Sequence, residues 1–348
     1  MLKKLYMPLD RPYKAYIGKK AWEEIPALIK SLGWDKVCIV SDRQVASLYL
    51  SPLQEVLAQG DWEVHHHIIE GGEASKDLAH YLGLVQDLLE KGFSRQDGVL
   101  ALGGGVVGDL TGFAAASFMR GIDFIQVPTS LLGAVDASLG GKTGINLDQG
   151  KNLLGAFHQP RGVFIQPQVF QTLAPESYQE AFGEIIKYAM IADEDLFSQL
   201  EAGTWTMEDL VFRCLSIKKD RVLEDEKDQG IRKTLNFGHS FGHGIEKASG
   251  YQVSHGQAVA MGMVLVARAA LEEGFPEEDF HRMRALLDHF GLNRPCPFGE
   301  EEIFRALLAD KKRRPGGLDL VVPKKIGQVE IRPMDLEEVR VWLKRGLS

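Results

Sequence analysis

Residues 98–109 read GVLALGGGVVGD, and this stretch decides the fold. Residues 98–102 have the composition of a buried β-strand. Gly103, Gly104 and Gly105 end it, and 106–119 continues as an alanine-rich helix. A strand that runs through three glycines into a helix is a βα unit whose turn can approach a ligand closely, since no β-carbon intervenes. The first turn of such a helix offers unpaired N–H groups to a phosphate. The stretch formally satisfies G-x-G-x-x-G. Its position is unusual, because the Rossmann fingerprint opens the first βαβ unit. Here the first strand ends in SDRQ, without glycines. The plain alternative is a tight βα turn with close helix–sheet packing. That alternative leaves Asp109, and the Gly71-Gly72-Glu73 turn after another strand, unexplained.

The same rhythm extends on both sides. Strands are expected at 37–41, 63–69 and 123–127, the last stopped by Pro128. Helices are expected at 44–59 and 76–91, with Pro52 a possible break in the first. In 76–91 the apolar residues fall at 78, 82, 85, 88 and 89, an amphipathic pattern. Strand–helix alternation of this kind implies an α/β fold with a largely parallel sheet. From 175 onward the pattern turns helical, at 177–192, 207–223, 240–247, 256–273, 278–290 and 301–309. One late hairpin is expected, with strands 318–322 and 329–331 flanking PKKIG. Two domains follow: 1–170, a Rossmann-like α/β domain, and 171–348, mostly α-helical.

Composition narrows the function. The 348 residues carry a net charge of −8, which opposes a nucleic-acid binder needing a broad basic surface. Small anions remain acceptable, because a few lysines can make a local positive pocket. Cys38, Cys214 and Cys296 are too scattered for a disulfide framework or a cysteine metal site. The N-terminal MLKKLYMPLDRPYK does not resemble a signal peptide, and no apolar run approaches the ~18–20 residues that span a bilayer. A cytoplasmic protein without membrane partners is expected.

Two further regions carry chemistry. Residues 128–152, PTSLLGAVDASLGGKTGINLDQGKN, hold five glycines, two lysines, two aspartates and two asparagines. GGKTG resembles the end of a P-loop, but the spacing fails because position 136 is Asp. By itself the stretch reads as a long functional loop bringing Lys142, Lys151 and Asn152 to an anion. The second region is LNFGHSFGH, 235–243, with His239 and His243 at i, i+4 on one helix face. His255 follows in VSHG, and Glu184 and Lys187 lie one turn apart in GEIIKYA. Glutamate and histidine are good zinc ligands. Spacing alone pairs His239 with His243, as in H-E-x-x-H, although no Glu follows His239. Arg232 and Asn236, just before, could clamp a carboxylate or phosphate. The charged run at 218–226 reads as a solvated helix face, and the histidines at 65–67 as strand residues of structural use.

Taken together, GGGVVGDLTGF, Arg120-Gly121, the 126–152 segment, EIIKYA, DE at 225–226, GIRKTLNFGHSFGH and SHGQAVAMGM resemble the 3-dehydroquinate synthase family over nearly the whole chain. Ser130 and Ser240 stand where the family often has threonine, and both keep a hydroxyl. The resemblance implies an N-terminal NAD-binding domain, a C-terminal helical metal-binding domain, an active site in the cleft between them, and a homodimer. It implies a lyase of the shikimate pathway that converts 3-deoxy-D-arabino-heptulosonate 7-phosphate to 3-dehydroquinate and phosphate. The steps would be transient oxidation by NAD, phosphate elimination, re-reduction and intramolecular aldol closure.

The cofactors implied are NAD and zinc, or cobalt in its place. The metal ligands carried over are Glu184, His239 and His255. Substrate and phosphate contacts fall on Asp136, Lys142, Asn152, Lys187, Lys218, Arg232, Asn236 and His243. Arg120 lies near the phosphate, and Lys311 or Lys312 closes the pocket. NAD contacts fall on Asp42, Glu73, Lys76, Gly104, Gly105, Asp109, Thr129, Ser130, Lys142, Lys151 and Thr172. The rivals are a sister cyclase acting on another sugar phosphate, a metal-dependent polyol dehydrogenase, and a noncatalytic metal-binding protein.

Overall fold

The computed structural model describes residues 1–308 and 316–348. Lys311 and Lys312 lie outside the described residues. The chain divides into two compact units, Met1–Leu173 and Ala174–Ser348.

The first unit is built on one sheet. Its strands are β1 (Lys3–Met7), β2 (Tyr13–Ile17), β3 (Lys36–Asp42), β4 (Glu63–Ile69), β5 (Gly98–Gly103), β6 (Asp123–Pro128) and, after a separate hairpin of β7 (Lys142–Leu147) and β8 (Gly150–Phe157), β9 (Gly162–Ile165). The sheet order is β1-β2-β9-β6-β5-β3-β4, parallel throughout except for the β1 edge. Every residue of β5 and β9 is buried, as expected where helices cover both faces.

Helices α1 (Ile25–Leu32), α2 (Arg43–Leu57), α3 (Leu78–Glu90) and α4 (Gly105–Ser117) make the crossovers. The strand order reverses between β3 and β5: β4 lies on one side of β3, and the chain then returns past it to β5, β6 and β9. Ligands of doubly wound sheets bind outside the carboxyl ends of the strands at such a point. The glycine turn therefore belongs to β5 and not to the first strand of the unit, because β5 borders the reversal.

Several expectations change here. The 128–152 stretch is not one long loop. It contains a π-turn at Gly133–Ala137 and the first part of the β7–β8 hairpin. The hairpin is held by α4, whose Gly112 is so close to it that a β-carbon would sit 2.4 Å from Thr143 Cγ2. Pro52 does not split α2, which runs through it on an exposed face. Strands β1, β2 and β9, four or five residues long, were not expected.

The second unit contains α5 (Pro175–Ala192), α6 (Glu194–Ala202), α7 (Met207–Glu224), α8 (His239–Ala248), α9 (His255–Leu271), α10 (Glu277–His289) and α11 (Glu300–Leu308). The expected hairpin follows as β10 (Gly317–Lys325) and β11 (Gln328–Asp335), and then α12 (Leu336–Leu347). Helices α6 and α12 were not expected. α9 is the axis, apolar almost all round, and it packs on α5, α8, α10 and α12. Among the described residues no helix is long and apolar enough to cross a membrane.

Candidate metal centre and nucleotide cradle

Glycines at helix crossings create the metal centre. A β-carbon on Gly183 of α5 would lie 2.8 Å from Gly256 O, and one on Gly256 would lie 2.3 Å from Glu180 O. A β-carbon on Gly262 of α9 would lie 2.0 Å from Gly238 O. Only bare backbone permits α5 and the start of α8 to approach α9 so closely. Each neighbouring side chain is thereby brought in: Glu184 follows Gly183, His239 follows Gly238, and His255 precedes Gly256. Gly238 has φ 78°, a left-handed conformation that glycine adopts without strain, and it turns the chain into α8 at His239. His255 is the first residue of α9.

Glu184 is completely buried. Its Oε2 is bonded by the Lys187 ammonium one turn on, itself buried. Its Oε1 has no hydrogen-bond partner, yet His239 Nε2 lies 3.2 Å away and His255 Nε2 3.4 Å away. Both imidazoles have their other nitrogen engaged. His239 Nδ1 is 3.2 Å from Phe237 O, and His255 Nδ1 is 3.3 Å from Glu246 Oε2. Both Nδ1 atoms are therefore the protonated ones when the rings are neutral, and both Nε2 atoms converge on one carboxylate oxygen. A cation resolves that arrangement, and the donor set suits zinc or cobalt.

Burial alone would raise the Glu184 carboxyl, but Lys187 and His239 beside it hold it well below the usual carboxylate range. Burial dominates at His239 and lowers it. At His255 burial also pushes downward, but Glu184 and Glu246 outweigh it and raise the imidazole to about 10 without metal.

The ligand atoms of Glu184, His239 and His255 all lie within 4.8 Å of one another. His243, which spacing favours as the second ligand, belongs to a different group with Glu246 and His255. Its ring centroid is 5.6 Å from that of His239 and 6.2 Å from that of His255. Lys218 on α7 is buried, which corrects the reading of 218–226 as a wholly solvated face. Asp225 accepts hydrogen bonds from the N–H groups of Gln229, Gly230 and Arg232, so this acid shapes a turn. The turn leads into a 3-10 helix, Ile231–Asn236, carrying Arg232 and Asn236. The Arg232 side chain is buried and donates to Glu226 O at 2.5 Å.

In the first unit Asp42, Gly104 and Thr129 stand at or just after the carboxyl ends of parallel strands. Asp42 ends β3 and caps α2, its carboxylate accepting from Val45 N–H at 2.9 Å. Gly104 caps α4 without any side-chain bond, leaving the first-turn N–H groups available to an anion. Its φ of −77° and ψ of −168° suit any residue. A β-carbon there would sit 3.2 Å from Ser130 Oγ, a tight contact to which the hydroxyl would have to yield. Gly104 and Gly105 line a recess with Gly108, Gly133 and Ser138. Thr129 donates its N–H to Gly103 O, and Ser130 Oγ accepts from Gly133 N–H.

The buried Lys76 ammonium donates to Asp109 Oδ2 and Asn152 Oδ1, each at 2.5 Å. Asp136 is in the π-turn, and Lys142 and Lys151 are exposed on the hairpin. Thr172 is exposed and bonds the Tyr49 hydroxyl. Arg120 is exposed at the end of a 3-10 turn, with φ 67°.

Asn146 was not singled out in the sequence. Asn146 accepts from Asn152 N–H at 2.8 Å and donates to Glu73 Oε1 at 2.7 Å, while its own N–H donates to Lys76 O. It ties Glu73, Lys76 and Asn152 together. The only sequence signal was its place in GGKTGIN.

Comparison with known proteins agrees with these features. Residues 66–180 match the family model described as 3-dehydroquinate synthase N-terminal, and 181–313 the one described as 3-dehydroquinate synthase C-terminal. The chain belongs to the 3-dehydroquinate synthase family. A 3-dehydroquinate synthase from Streptococcus mutans is 39% identical, over 98% of this chain and 100% of the relative. Among solved structures, a 2-deoxy-scyllo-inosose synthase complexed with carbaglucose-6-phosphate, NAD+ and Co2+ superposes with TM-score 0.88 at 26% identity, over 100% of both chains. A 2-epi-5-epi-valiolone synthase from Streptomyces hygroscopicus, with NAD+ and Zn2+ bound, gives 0.84 at 27% identity over 96% of both.

Proposed function

We infer that this protein is a 3-dehydroquinate synthase, a lyase that converts 3-deoxy-D-arabino-heptulosonate 7-phosphate to 3-dehydroquinate and phosphate. The observation that carries the reading is the Glu184 carboxylate oxygen, buried and without a hydrogen bond, faced by two imidazole nitrogens. It stands in a chain 39% identical to a synthase of that name over nearly its full length. NAD, when bound, would supply a reversible hydride acceptor, and a divalent metal would supply Lewis acidity at the substrate hydroxyls.

The chain's own residues do the rest. Glu184, His239 and His255 hold the metal. Lys187 bonds the Glu184 carboxylate and so keeps a buried negative charge compensated. Gly104 and Gly105 admit the pyrophosphate of NAD to the α4 N-terminus. Asp42, Glu73, Lys76, Asp109, Thr129, Ser130, Lys151 and Thr172 complete the nucleotide contacts. Lys142, Lys218, Arg232 and Arg120 meet the substrate's phosphate and carboxylate with preorganised charge. Asp136, Asn152 and Asn236 orient its hydroxyls, and His243 moves a proton beside the metal.

The enzyme works as a homodimer in the cytoplasm. Exposed Leu147, Leu153, Leu154 and Phe157 on the β7–β8 hairpin supply an apolar surface for a second copy. Cys38, Cys214 and Cys296 are free thiols, as a reducing compartment keeps them.

The test is direct. Pure protein with the heptulosonate phosphate, NAD and zinc should release phosphate with no net NADH. Accumulating NADH would instead indicate a dehydrogenase. Turnover only of a neutral sugar phosphate would indicate a sister cyclase. Sedimentation should give the mass of two chains.

A further inference from the structure

His239, His243 and Glu246 fall at i, i+4 and i+7 on α8 and so share one helix face. His239 and Glu246 flank His255 from that face. The His255 and His239 ring centroids are 5.3 Å apart, and His255 Nδ1 is 3.3 Å from Glu246 Oε2. Glu246 has no place in the assignments above, although its side chain is buried. A buried carboxylate is costly to keep charged unless it is paired or hydrogen-bonded.

The backbone around Glu246 is also firmly placed. Its carbonyl accepts from Ser249 Oγ at 2.7 Å and from Tyr251 N–H at 2.8 Å, which closes the end of α8. The two imidazoles of the centre thus have unlike supports. His239 has a neutral peptide carbonyl behind Nδ1, and His255 has a carboxylate.

We propose that Glu246 is a positioning residue of the metal centre: it accepts the Nδ1 proton of His255 and so keeps Nε2, which faces Glu184, free to bind the ion. The proposal rests on the reading that Glu184, His239 and His255 hold the metal. A carboxylate behind a histidine ligand fixes the tautomer and the ring plane and makes the nitrogen more basic. Of the two histidines, His255 is therefore the stronger donor. The competing arrangement is a second ion held by His243, Glu246 and His255, whose ligand atoms also lie within 4.8 Å of one another. That arrangement requires His255 to give up the Nδ1 proton, and it makes Glu246 a ligand.

Zinc affinity of the full-length, metal-free protein, measured against a chromophoric chelator, separates these outcomes. Glu246→Ala should weaken zinc binding about 10–100-fold. Glu246→Gln keeps an acceptor without the charge and should fall between it and the native protein. Both should bind one ion per chain, as should the native protein. The visible spectrum of the cobalt-loaded Glu246→Gln protein should shift, with the metal-free variant still folded by circular dichroism.

Native affinity and an unshifted cobalt spectrum in both variants would overturn the proposal. Two ions in the native chain and one in Glu246→Ala would overturn it in favour of the second site. Glu184→Gln is the separate control. If it retains zinc, the underlying metal assignment fails, whatever the Glu246 variants do.

Discussion

The glycine cradle after β5 and the imidazole–carboxylate cluster of α5, α8 and α9 both depend on glycine, for different reasons. In the cradle, glycine is the binding surface. Gly104 caps α4 with no side-chain bond, so its first-turn N–H groups stay open, and a β-carbon there would meet Ser130 Oγ at 3.2 Å. In the cluster, glycine touches no ligand. Gly183, Gly238, Gly256 and Gly262 let helix backbones meet, and the adjacent side chains do the chemistry. The glycine turn at 103–105 is contiguous in sequence and carries no side chain. The cluster is assembled from distant segments around a buried charge. Substitution should therefore weaken the cradle gradually and disable the cluster outright.

The largest effects should come from the cluster. Glu184→Gln leaves Lys187 buried without its counter-charge, and it should destabilise the metal-free protein by about 3–5 kcal/mol in urea unfolding. It should also abolish zinc binding. His255→Ala should lose zinc as well. His243→Ala should keep zinc while turnover falls about 10²–10⁴-fold. Equal zinc loss in the two histidine variants would break the distinction between ligand and proton carrier.

The cradle should respond more mildly. Gly104→Ala places a methyl group near Ser130 Oγ, at the mouth of the turn. It should weaken NAD binding about tenfold in calorimetry, the equivalent of one hydrogen bond, and leave the melting temperature unchanged. A large loss of stability would mean that the glycine serves packing instead.

The smallest effect is on pH dependence, and it belongs to the cluster alone. Without metal, His255 is raised from 6.5 to about 10. The stability it contributes is complete below pH 6.5 and fades as pH rises towards 10. Melting of chelator-treated protein should fall over that range. Zinc should remove this contribution, because a metal-bound nitrogen does not take up a proton. An unchanged slope with zinc would place the ion elsewhere.

Much of this was legible locally. The βα unit at 98–119, the alternation around it and the helical second half follow from period and from glycine position, which are short-range properties. The late hairpin around PKKIG was also legible. The 128–152 stretch was misread because glycine-rich composition looks like a loop, whereas the β7–β8 pairing depends on support from α4. Spacing likewise favoured His239 with His243, since a helix by itself reveals only proximities within its own segment, such as i, i+3 and i, i+4. The family resemblance pointed to His255.

The sequence by itself determined which residue types could bind a metal and a nucleotide, because ligand chemistry and backbone freedom belong to single residues. It also determined the family, through motifs spread along the chain. Tertiary structure alone decided which nitrogen of His255 faces Glu184. Phe237 O, two residues before His239, and Glu246 occupy the Nδ1 positions, and the second contact exists only after α8 packs on α9. It also decided that the glycine turn sits where the strand order reverses, because strand order is a property of the assembled sheet.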